Sequence, residues 1–351
     1  MIKPIIGITM GDPAGIGPEI AARALSRKAI YDICRPVIVG DAGVMQQAIG
    51  IARVKLAVHP ISKIAAAKFE PGTLDVLDLH NANLDQVKHG LISAPAGEAA
   101  FQAVKKVIEL ALEGQIAATV TGPIHKEALN LAGHSFAGHT EIYAHYTQTK
   151  DFAMLLVSDN FRVIHVSTHV PVRQAADLVK RDRVFTVIRL LHQACQQFGI
   201  EQPRIGVAAL NPHASDGGLF GHEEEDEIIP AIEAARDLGW EVEGPLPPDI
   251  LFPKAKGGGF DGCVAMYHDQ GHIPFKLDGF TWNRKLGRME SVKGINITLG
   301  IPIIRVSVDH GTAFEIAGMG IANPDSLIMA IEYATKMAVA QKSDSSFRSG
   351  Q

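Results

Sequence analysis

The chain alternates short apolar runs with longer segments in which apolar residues recur every three to four positions. Apolar runs bounded by glycine and proline are typical of buried strands, whereas the 3.6-residue spacing is typical of helices that cover a sheet. Strands are predicted at residues 3–10 and 36–40, and long helices at 94–113 and 181–197. This alternation predicts an α/β fold with mostly parallel sheets, because parallel strands need a crossover between them.

One segment departs from this alternation. Residues 152–166 contain two adjacent apolar runs joined by the turn pair Asp159 and Asn160, which predicts an antiparallel hairpin. We therefore expect one half of the chain to hold a sheet that is not purely parallel. A length of 351 residues is enough for two α/β domains. The predicted bounds are residues 1–130 and 310–345 for the first domain, 131–309 for the second, and 342–351 for a disordered tail.

Three of the apolar runs lead into a histidine followed by loop residues. These are His169 in FRVIHVSTHVPV, His213 in RIGVAALNPHASDGG and His268 in VAMYHDQGH. Ligands of open α/β sheets gather at the carboxyl ends of the strands, so the three imidazoles are predicted to converge there on a divalent metal. Their separations of 44 and 55 residues match no short metal motif, and ordinary hydrogen-bonded loop histidines are the alternative.

The composition narrows the class of protein. Hydrophobic residues make up 46% and charged residues 20%, with 34 glycines, which is typical of a soluble, turn-rich enzyme. The net charge of −5 and the lack of a long basic run argue against nucleic acid or an anionic membrane as a partner. The first apolar run is too short for a signal sequence or a membrane span. The three cysteines are widely spaced in apolar surroundings, which predicts reduced core thiols and a cytoplasmic protein.

An anionic substrate would have to be bound by local cations and hydrogen-bond donors. Arg305 lies inside an otherwise apolar strand, where a buried guanidinium needs a partner such as a substrate anion. His139 and Thr140 lie at a loop-to-helix junction that suits a phosphate or carboxylate, unless Thr140 only caps the helix. Lys126 starts another helix, against the macrodipole preference, and is either an anion contact or an ordinary surface lysine.

Three further motifs carry weaker signals. The proline-rich loop GPLPPDILF contains Asp249, which is either an acid or base in catalysis or a turn residue. The run HEEEDE at 222–227 opens a helix, where acids are expected. The segment GDPAGIGPE at 11–19 is a glycine-rich turn leading to a helix from about Pro18. It lacks the third glycine of GxGxxG, so it does not predict a Rossmann dinucleotide site.

Eight segments occur in order over essentially the whole chain: GDPAGIGPE, VTGPIHKEA, GHTE, STHVPV, NPHASDGG, YHDQGH, INITLG and VDHGTA. In these segments the chain resembles the 4-hydroxythreonine-4-phosphate dehydrogenase family of pyridoxine biosynthesis. The family is similar in fold to the isocitrate and isopropylmalate dehydrogenases. The resemblance therefore implies two domains of mostly parallel sheet with the active site in the cleft between them. It also implies an NAD cofactor, with NADP left open because no ribose-reading acid can be placed.

The resemblance further implies roles for individual residues. His169, His213 and His268 would bind a divalent metal such as Zn, Mg, Co or Mn, at the subunit interface of a homodimer in which His169 comes from the partner chain. From the chemistry of the residues rather than from the resemblance, we expect Asp249, Lys126 or a water to relay the proton released from the substrate. The substrate contacts that the resemblance implies are His139, Thr140, Lys276, Asn296 and Arg305. Separately, backbone N–H groups freed by Gly311 favour the loop of Asp309, His310, Gly311 and Thr312 for the dinucleotide.

About a dozen residues around Arg284, Lys285 and Arg288 are inserted between Lys276 and the INITLG strand, unlike in the biosynthetic members. This insert resembles the catabolic branch of carbohydrate metabolism, whose members oxidise the 4-phosphates of threonate or erythronate. The expected activity is NAD- and metal-dependent oxidation, with decarboxylation, of a small 4-phosphorylated hydroxy acid. The alternatives are a three-histidine metallohydrolase of a phosphorylated metabolite and a metabolite-binding protein without turnover.

Overall fold

The computed structural model describes the backbone of residues 3–285 and 288–348, and the side chains of these residues except at 288–292 and 343–348. The chain divides into two compact units. Unit 1 comprises Met1–Lys150 and Ile301–Gln351, and unit 2 comprises Asp151–Gly300.

The elements follow the predicted alternation. In chain order the strands are β1 (Ile5–Thr9), β2 (Arg35–Gly40), β3 (Ala57–Ile61), β4 (Thr73–Asp78), β5 (Ala118–Thr121), β6 (Ala153–Ser158), β7 (Phe161–His165), β8 (Ile205–Ala208), β9 (Val242–Leu246), β10 (Gly262–Ala265), β11 (Phe280–Asn283), β12 (Arg288–Val292), β13 (Ile295–Leu299) and β14 (Arg305–Val308). The helices are α1 (Gly17–Leu25), α2 (Lys28–Ile33), α3 (Ala42–Ala52), α4 (Ala94–Leu112), α5 (Lys126–Leu131), α6 (His139–Thr147), α7 (Val172–Asp177), α8 (Arg181–Gln197), α9 (Ile229–Arg236), α10 (Pro248–Lys256), α11 (His268–Gly279) and α12 (Asp325–Arg348).

The strands of unit 1 pair in the order β3-β4-β2-β1-β5-β14, and all of these pairs are parallel. Its strands are nearly continuous apolar runs, because helices cover a parallel sheet on both faces. The core includes Val37 and Val39 of β2, Val104 and Val107 of α4, and Tyr143 of α6. This sheet confirms the mostly parallel α/β fold expected from the sequence.

The strands of unit 2 pair in the order β13-β6-β7-β10-β8-β9. The pair β6 and β7 is antiparallel, which confirms the predicted hairpin, and Asp159 in its turn has a φ of 49°. Strands β7, β10, β8 and β9 are parallel neighbours. The insert after Lys276 forms the separate antiparallel pair β11 and β12. Arg284 and Lys285 are exposed there, and the side chain of Arg288 lies outside the described residues.

The units divide at residues 150 and 300, whereas the sequence placed the divisions at 130 and 309. Packing explains both differences. Ile142 and Tyr143 of α6 are buried in the core of unit 1, and β14 pairs with β5 of the same unit. Helix α12 continues to Arg348, so the predicted tail is helical up to that residue. Residues 349–351 lie outside the described part of the chain.

Two predictions drawn from composition can also be compared with the structure. Cys34, Cys195 and Cys263 are free and buried, as predicted, and burial raises the pKa of both Cys34 and Cys195 to about 12. Among the described helices, none of 18 residues or more has the sustained hydropathy of a membrane span.

Glycine at position 97 allows α4 to lie directly against α5. A Cβ at this position would stand 2.0 Å from the carbonyl oxygen of Ala128. We expect Gly97→Ala to lower the free energy of unfolding by about 1–3 kcal/mol, because backbone atoms cannot move aside without separating the helices. Urea unfolding followed by circular dichroism measures the loss.

Gly50→Ala is the matched control, since a Cβ at this exposed position in α3 would meet nothing within 4 Å. That variant should gain up to about 1 kcal/mol from the higher helix propensity of alanine. Equal stability of the two variants would contradict the close packing of α4 and α5.

Candidate active site

The segment VAMYHDQGH joins strand β10 to helix α11 in unit 2. The helix begins at His268, so this imidazole lies at the carboxyl end of the parallel strands β7, β10 and β8. Gln270 is buried and bridges two strand ends. Its Oε1 accepts from the N–H of Met266 at 2.7 Å, and its Nε2 donates to the carbonyl of Ala209 at 2.8 Å. The glutamine therefore holds the loop before His268 against the loop that leads to His213.

Four imidazoles of unit 2 form a row. The rings of His268 and His272 stack with centroids 3.7 Å apart, and His165 lies 4.6 Å beyond His272. At the other end, the His169 ring centroid is 5.8 Å from that of His268. Gly271 makes this approach possible, because a Cβ there would stand 2.4 Å from Nε2 of His165. The glycine of the HDQGH motif thus has a packing function.

The two buried histidines of this row, His165 and His272, are neutral at neutral pH. Burial, reinforced by the neighbouring His272, lowers the pKa of His165 to about 3. Burial and the adjacent His268 lower the pKa of His272 to about 4. His272 donates its Nδ1 proton to the carbonyl oxygen of His268 at 3.0 Å, which ties its ring to the first turn of α11. Since His268 stacks on this fixed ring, its orientation is restricted as well.

The outer end of the row opens into a cavity of about 400 Å³, lined by residues 168–172, Ala175 and residues 267–269. His268 donates from Nδ1 to Oδ1 of Asp269 at 2.6 Å, which leaves Nε2 as the ring atom that could bind a ligand. Two imidazoles on one tetrahedral ion would have ring centroids about 5 Å apart. The 5.8 Å between the ring centroids of His169 and His268 is of this order, so their spacing would allow a shared divalent ion.

His213 lies in a loop of unusual backbone conformation. His213, Ala214 and Ser215 have φ values of 55°, 53° and 70°, each in the left-handed region that costs roughly 1–2 kcal/mol per residue. Glu224 holds the start of this loop, because its Oε1 accepts from the N–H groups of Leu210 and Asn211, both at 2.8 Å. Such a strained turn persists only where its surroundings determine it.

The metal set of His169, His213 and His268 stays a prediction, because the resemblance implies that the partner chain supplies one of the three. Within residues 3–285 and 288–348, no three His, Cys, Asp or Glu side chains form a potential metal site. His169 and His268 are neighbours, whereas the ring of His213 lies 6.5 Å from that of Phe220 on its own loop. The physical reason is that His213 lies five residues beyond the end of β8, where the left-handed turn rather than the strand directs its side chain.

The other predicted residues of unit 2 have different environments. Lys276 is in the last turn of α11, with Nζ 5.0 Å from the centroid of the Phe280 ring. Asn296 is half-buried in β13. Asp249 is exposed in the first turn of α10, so its assignment to a stiff loop was wrong. Proline suits the first turn of a helix and an acid suits its positive end, so the same residues start a helix.

In unit 1, Arg305 is buried at the start of β14. Its Nη2 donates to Oγ1 of Thr121 at 3.2 Å, and its guanidinium carbon lies 5.6 Å from the centroid of the Tyr143 ring. The hydroxyl of Tyr143 donates to Oγ1 of Thr119 at 2.9 Å, which fixes the ring. Burial lowers the pKa of Arg305 to about 10, with opposing contributions from Tyr143 and Glu141, so the group keeps its charge at neutral pH.

His139 and Thr140 open helix α6 beside this cation. Gly138 is the N-cap residue, and no side chain caps the helix, so the alternative in which Thr140 is the cap is wrong. Burial, followed by the charge of Arg305, holds the pKa of His139 well below 6.5. A neutral imidazole, a hydroxyl and a guanidinium thus occur in one neighbourhood of unit 1. Together they provide donors and one positive charge for an anion.

Lys126 is exposed as the first residue of α5. The Asp309–Thr312 loop follows β14 and is bonded to the GDPAGIGPE segment. Thr312 is buried, and its carbonyl oxygen accepts from the N–H of Ile16 at 3.0 Å. Glu19 is also buried, and its Oε2 accepts from the N–H of Gly320 at 3.0 Å. Two glycine-rich loops are therefore held together at the carboxyl edge of the unit 1 sheet.

Sequence reasoning missed Asp12, Gln270 and Glu224. Asp12 follows β1, is fully buried, and has a pKa that burial raises to about 6. The signal for Asp12 was a lone acid within a run of small and apolar residues. Glu224 was interpreted as one of several acids expected in a first helical turn, but it is also buried and accepts from the backbone of the His213 loop.

The family model described as Pyridoxal phosphate biosynthetic protein PdxA matches residues 32–334. The D-threonate 4-phosphate dehydrogenase of Cupriavidus necator is 45% identical over 336 residues, which cover 95% of this chain and 97% of that protein. Crystal structures of 4-hydroxythreonine-4-phosphate dehydrogenases from Burkholderia phymatum and Klebsiella pneumoniae are each 42% identical, with TM-scores of 0.80 and 0.81. They match 96% of this chain, and 99% and 100% of their own chains. Together with its fold, this end-to-end similarity shows that the chain belongs to the PdxA family.

Proposed function

We propose that this chain is an NAD- and metal-dependent dehydrogenase that oxidises the secondary hydroxyl of a 4-phosphorylated short-chain hydroxy acid, with D-threonate 4-phosphate as its substrate. Oxidation of the 3-hydroxyl gives a ketone β to the carboxylate, which can then lose carbon dioxide. The observation that carries the proposal is the 45% identity to the D-threonate 4-phosphate dehydrogenase of Cupriavidus necator over 95% of this chain.

The imidazoles of unit 2 are the proposed metal ligands. His169 and His268 would bind the ion, with Asp269 orienting the His268 ring through the 2.6 Å hydrogen bond to Nδ1. His213 completes the proposed set. A bound divalent ion lowers the pKa of a coordinated hydroxyl and so favours its deprotonation. Lys276 and Asn296 of the same unit are proposed substrate contacts.

The cationic group of unit 1 is the proposed binding site for an anionic end of the substrate. Arg305 presents a charge in buried surroundings, where an ionic hydrogen bond is stronger than in water. His139 stays neutral beside it and adds a hydrogen-bonding group without a second desolvated charge. Thr140 contributes a hydroxyl. Lys126 and Asp249 are both exposed, so a proton that they accept can pass directly to solvent.

Residues Asp309, His310, Gly311 and Thr312 form the proposed dinucleotide loop. The position of this loop supports the proposal, because it directly follows β14. Ligands of parallel sheets bind beyond the carboxyl ends of the strands. The hydrogen bond from Ile16 to Thr312 holds the loop in place before any ligand arrives. When bound, the nicotinamide ring would accept the hydride.

The proposed assembly is a homodimer with unit 2 at its interface. Each histidine-bearing segment of this unit exposes a large apolar side chain close in sequence to the histidine. Val172 is 72% exposed near His169, Leu219 is 72% exposed near His213, and Leu277 is 78% exposed on the helix of His268. Exposed apolar groups next to functional side chains are typical of a surface covered by a partner.

Purified protein supplied with NAD and D-threonate 4-phosphate should produce NADH, measured by absorbance, and a chelator should abolish the reaction until a divalent metal is restored. The 4-phosphates of erythronate and 4-hydroxythreonine, tested in parallel, should be oxidised more slowly. Release of inorganic phosphate without NADH would instead identify a metallohydrolase, and full activity in chelator would remove the metal from the mechanism.

Arg305→Met should lower kcat/KM for the phosphorylated substrate about 10- to 100-fold, mainly through KM, because a charged hydrogen bond to the bound anion is lost. Arg27→Met is the matched control, since Arg27 is an exposed arginine of unit 1 that pairs with a surface carboxylate of Asp325 at 3.4 Å. Steady-state kinetics of both variants provide the comparison. Equal kinetics would exclude Arg305 as a substrate contact.

Mixed dimers reveal which chain supplies each metal ligand. The resemblance assigns His169 to the partner chain, but its ring lies 5.8 Å from that of His268 in the same chain, so we propose instead that one chain supplies both. Co-refolded His169→Ala and His268→Ala chains should then remain inactive. If His213 crosses the interface, co-refolded His213→Ala and His268→Ala chains should recover about a quarter of the unaltered activity. Half of randomly assorted dimers are mixed, and one of the two sites in each mixed dimer is intact. Recovery by the first pair would show instead that His169 comes from the partner.

A further inference from the structure

We propose that Asp12 and His125 form the subsite of unit 1 that receives the carboxamide of the nicotinamide ring, with Asp12 accepting from the amide N–H and His125 donating to the amide oxygen. This inference rests on the proposed NAD dependence. It assigns a role to two residues that neither the metal ligands nor the substrate contacts account for.

Asp12 is placed rigidly at the carboxyl end of β1. Its backbone N–H donates to the carbonyl oxygen of Pro123 at 2.8 Å, and its Oδ1 accepts from the N–H of Ala14 at 2.8 Å. Its other oxygen, Oδ2, is buried and has no hydrogen-bond partner among the described residues. A buried acceptor without a partner costs roughly 1–3 kcal/mol of folding free energy. A bound ligand that donates to this oxygen would remove that cost.

The loops around Asp12 are too closely packed to adjust. A Cβ on Gly11 would stand 2.6 Å from the Pro123 carbonyl oxygen, and one on Gly15 would stand 2.9 Å from that of Thr312. Gly11 also has a φ of 77°, which glycine adopts without strain. The orientation of the Asp12 carboxyl is therefore determined by the backbone of three adjoining loops and is already established before a ligand binds.

His125 provides the second group. It immediately precedes α5, and its ring stacks on Phe314 with centroids 4.9 Å apart, which fixes the plane of the imidazole. Its Nδ1 is buried and has no hydrogen-bond partner within the described chain. The two residues are close enough for His125 to act electrostatically on Asp12, where it opposes the rise in pKa to about 6 caused by burial.

The N–H of Asp12 bonds the carbonyl of Pro123, two residues before His125, so the acceptor and the donor lie on adjoining loops. Such a pair matches a primary carboxamide, which presents an N–H and a carbonyl oxygen on one planar group. Asp12 and His125 follow β1 and β5, and the proposed dinucleotide loop follows the adjacent strand β14. The carbonyl of Thr312 in that loop is bonded to Ile16 of the Asp12 segment. The nicotinamide end and the rest of the cofactor would thus be recognised by adjoining loops of one unit.

Asp12→Asn tests the acceptor without changing the size of the side chain. The asparagine oxygen can keep the hydrogen bond from the N–H of Ala14. The asparagine NH2 would then face the NH2 of the carboxamide, and two donors cannot form a hydrogen bond. We expect the Kd of NAD+ to rise about 10- to 100-fold, measured by isothermal titration calorimetry. The Kd of ADP-ribose, which lacks nicotinamide, should stay within about twofold, since the change removes only one hydrogen bond. Asp32→Asn, an exposed acid on α2, is the control variant.

Two further measurements do not depend on the stability of that variant. The unaltered protein should bind 3-acetylpyridine adenine dinucleotide, in which a methyl replaces the amide nitrogen, about 10-fold or more weakly than NAD+, and Asp12→Asn should abolish this preference. His125→Phe keeps a ring to stack on Phe314 but removes the donor. It should weaken NAD+ binding and leave ADP-ribose binding unchanged.

The outcomes separate this inference from the proposed function. If the unaltered protein binds neither NAD+ nor ADP-ribose, the proposed cofactor and this subsite are both overturned. If it binds both ligands but the variants weaken them equally, Asp12 and His125 have only a structural role and the subsite alone is overturned. The subsite also fails if the variants leave NAD+ binding unchanged, in which case water satisfies the two buried atoms.

Discussion

Parallel strand pairing is the constraint on which the chemistry of this protein depends. The pairing of β5 with β1 and β14 makes the polar loops after these strands leave the sheet of unit 1 at one edge. In unit 2, the pairing of β10 with β7 and β8 does the same for the loops that carry the histidines. Because helices cover both faces of a parallel sheet, polar groups from separate parts of the sequence meet only where the strands end.

Buried polar side chains then hold these loops in position. Gln270 bridges two strand ends, Glu224 accepts from the first residues of the His213 loop, and Asp12 bonds its own turn. A buried polar group is stable only when it is hydrogen-bonded, so each of these residues restricts the backbone around it. The candidate ligand-binding groups are therefore largely preorganised, which reduces the entropy that binding would otherwise cost.

Individual residues show how far the sequence could be interpreted. The strand containing Arg305, the hairpin at 152–166 and the buried thiols were predictable, because they depend on local hydrophobic pattern and on the high cost of burying an unpaired charge. Asp249 and Thr140 were placed in the wrong local context, since a proline or a threonine near a helix start is compatible with several cap positions. The position of His213 depends on a left-handed turn that the local sequence pattern does not predict.

By itself, the sequence determined the α/β class, the hairpin, the strand-end positions of the histidines and the resemblance to the family. Each of these follows from residue type and spacing along the chain. Only the tertiary structure decided that α6 and β14 belong to unit 1, that His169 and His268 are neighbours without His213, and that the Asp12 carboxyl has a buried oxygen. These features depend on contacts between residues far apart in the chain, which packing and strand pairing establish and local pattern does not encode.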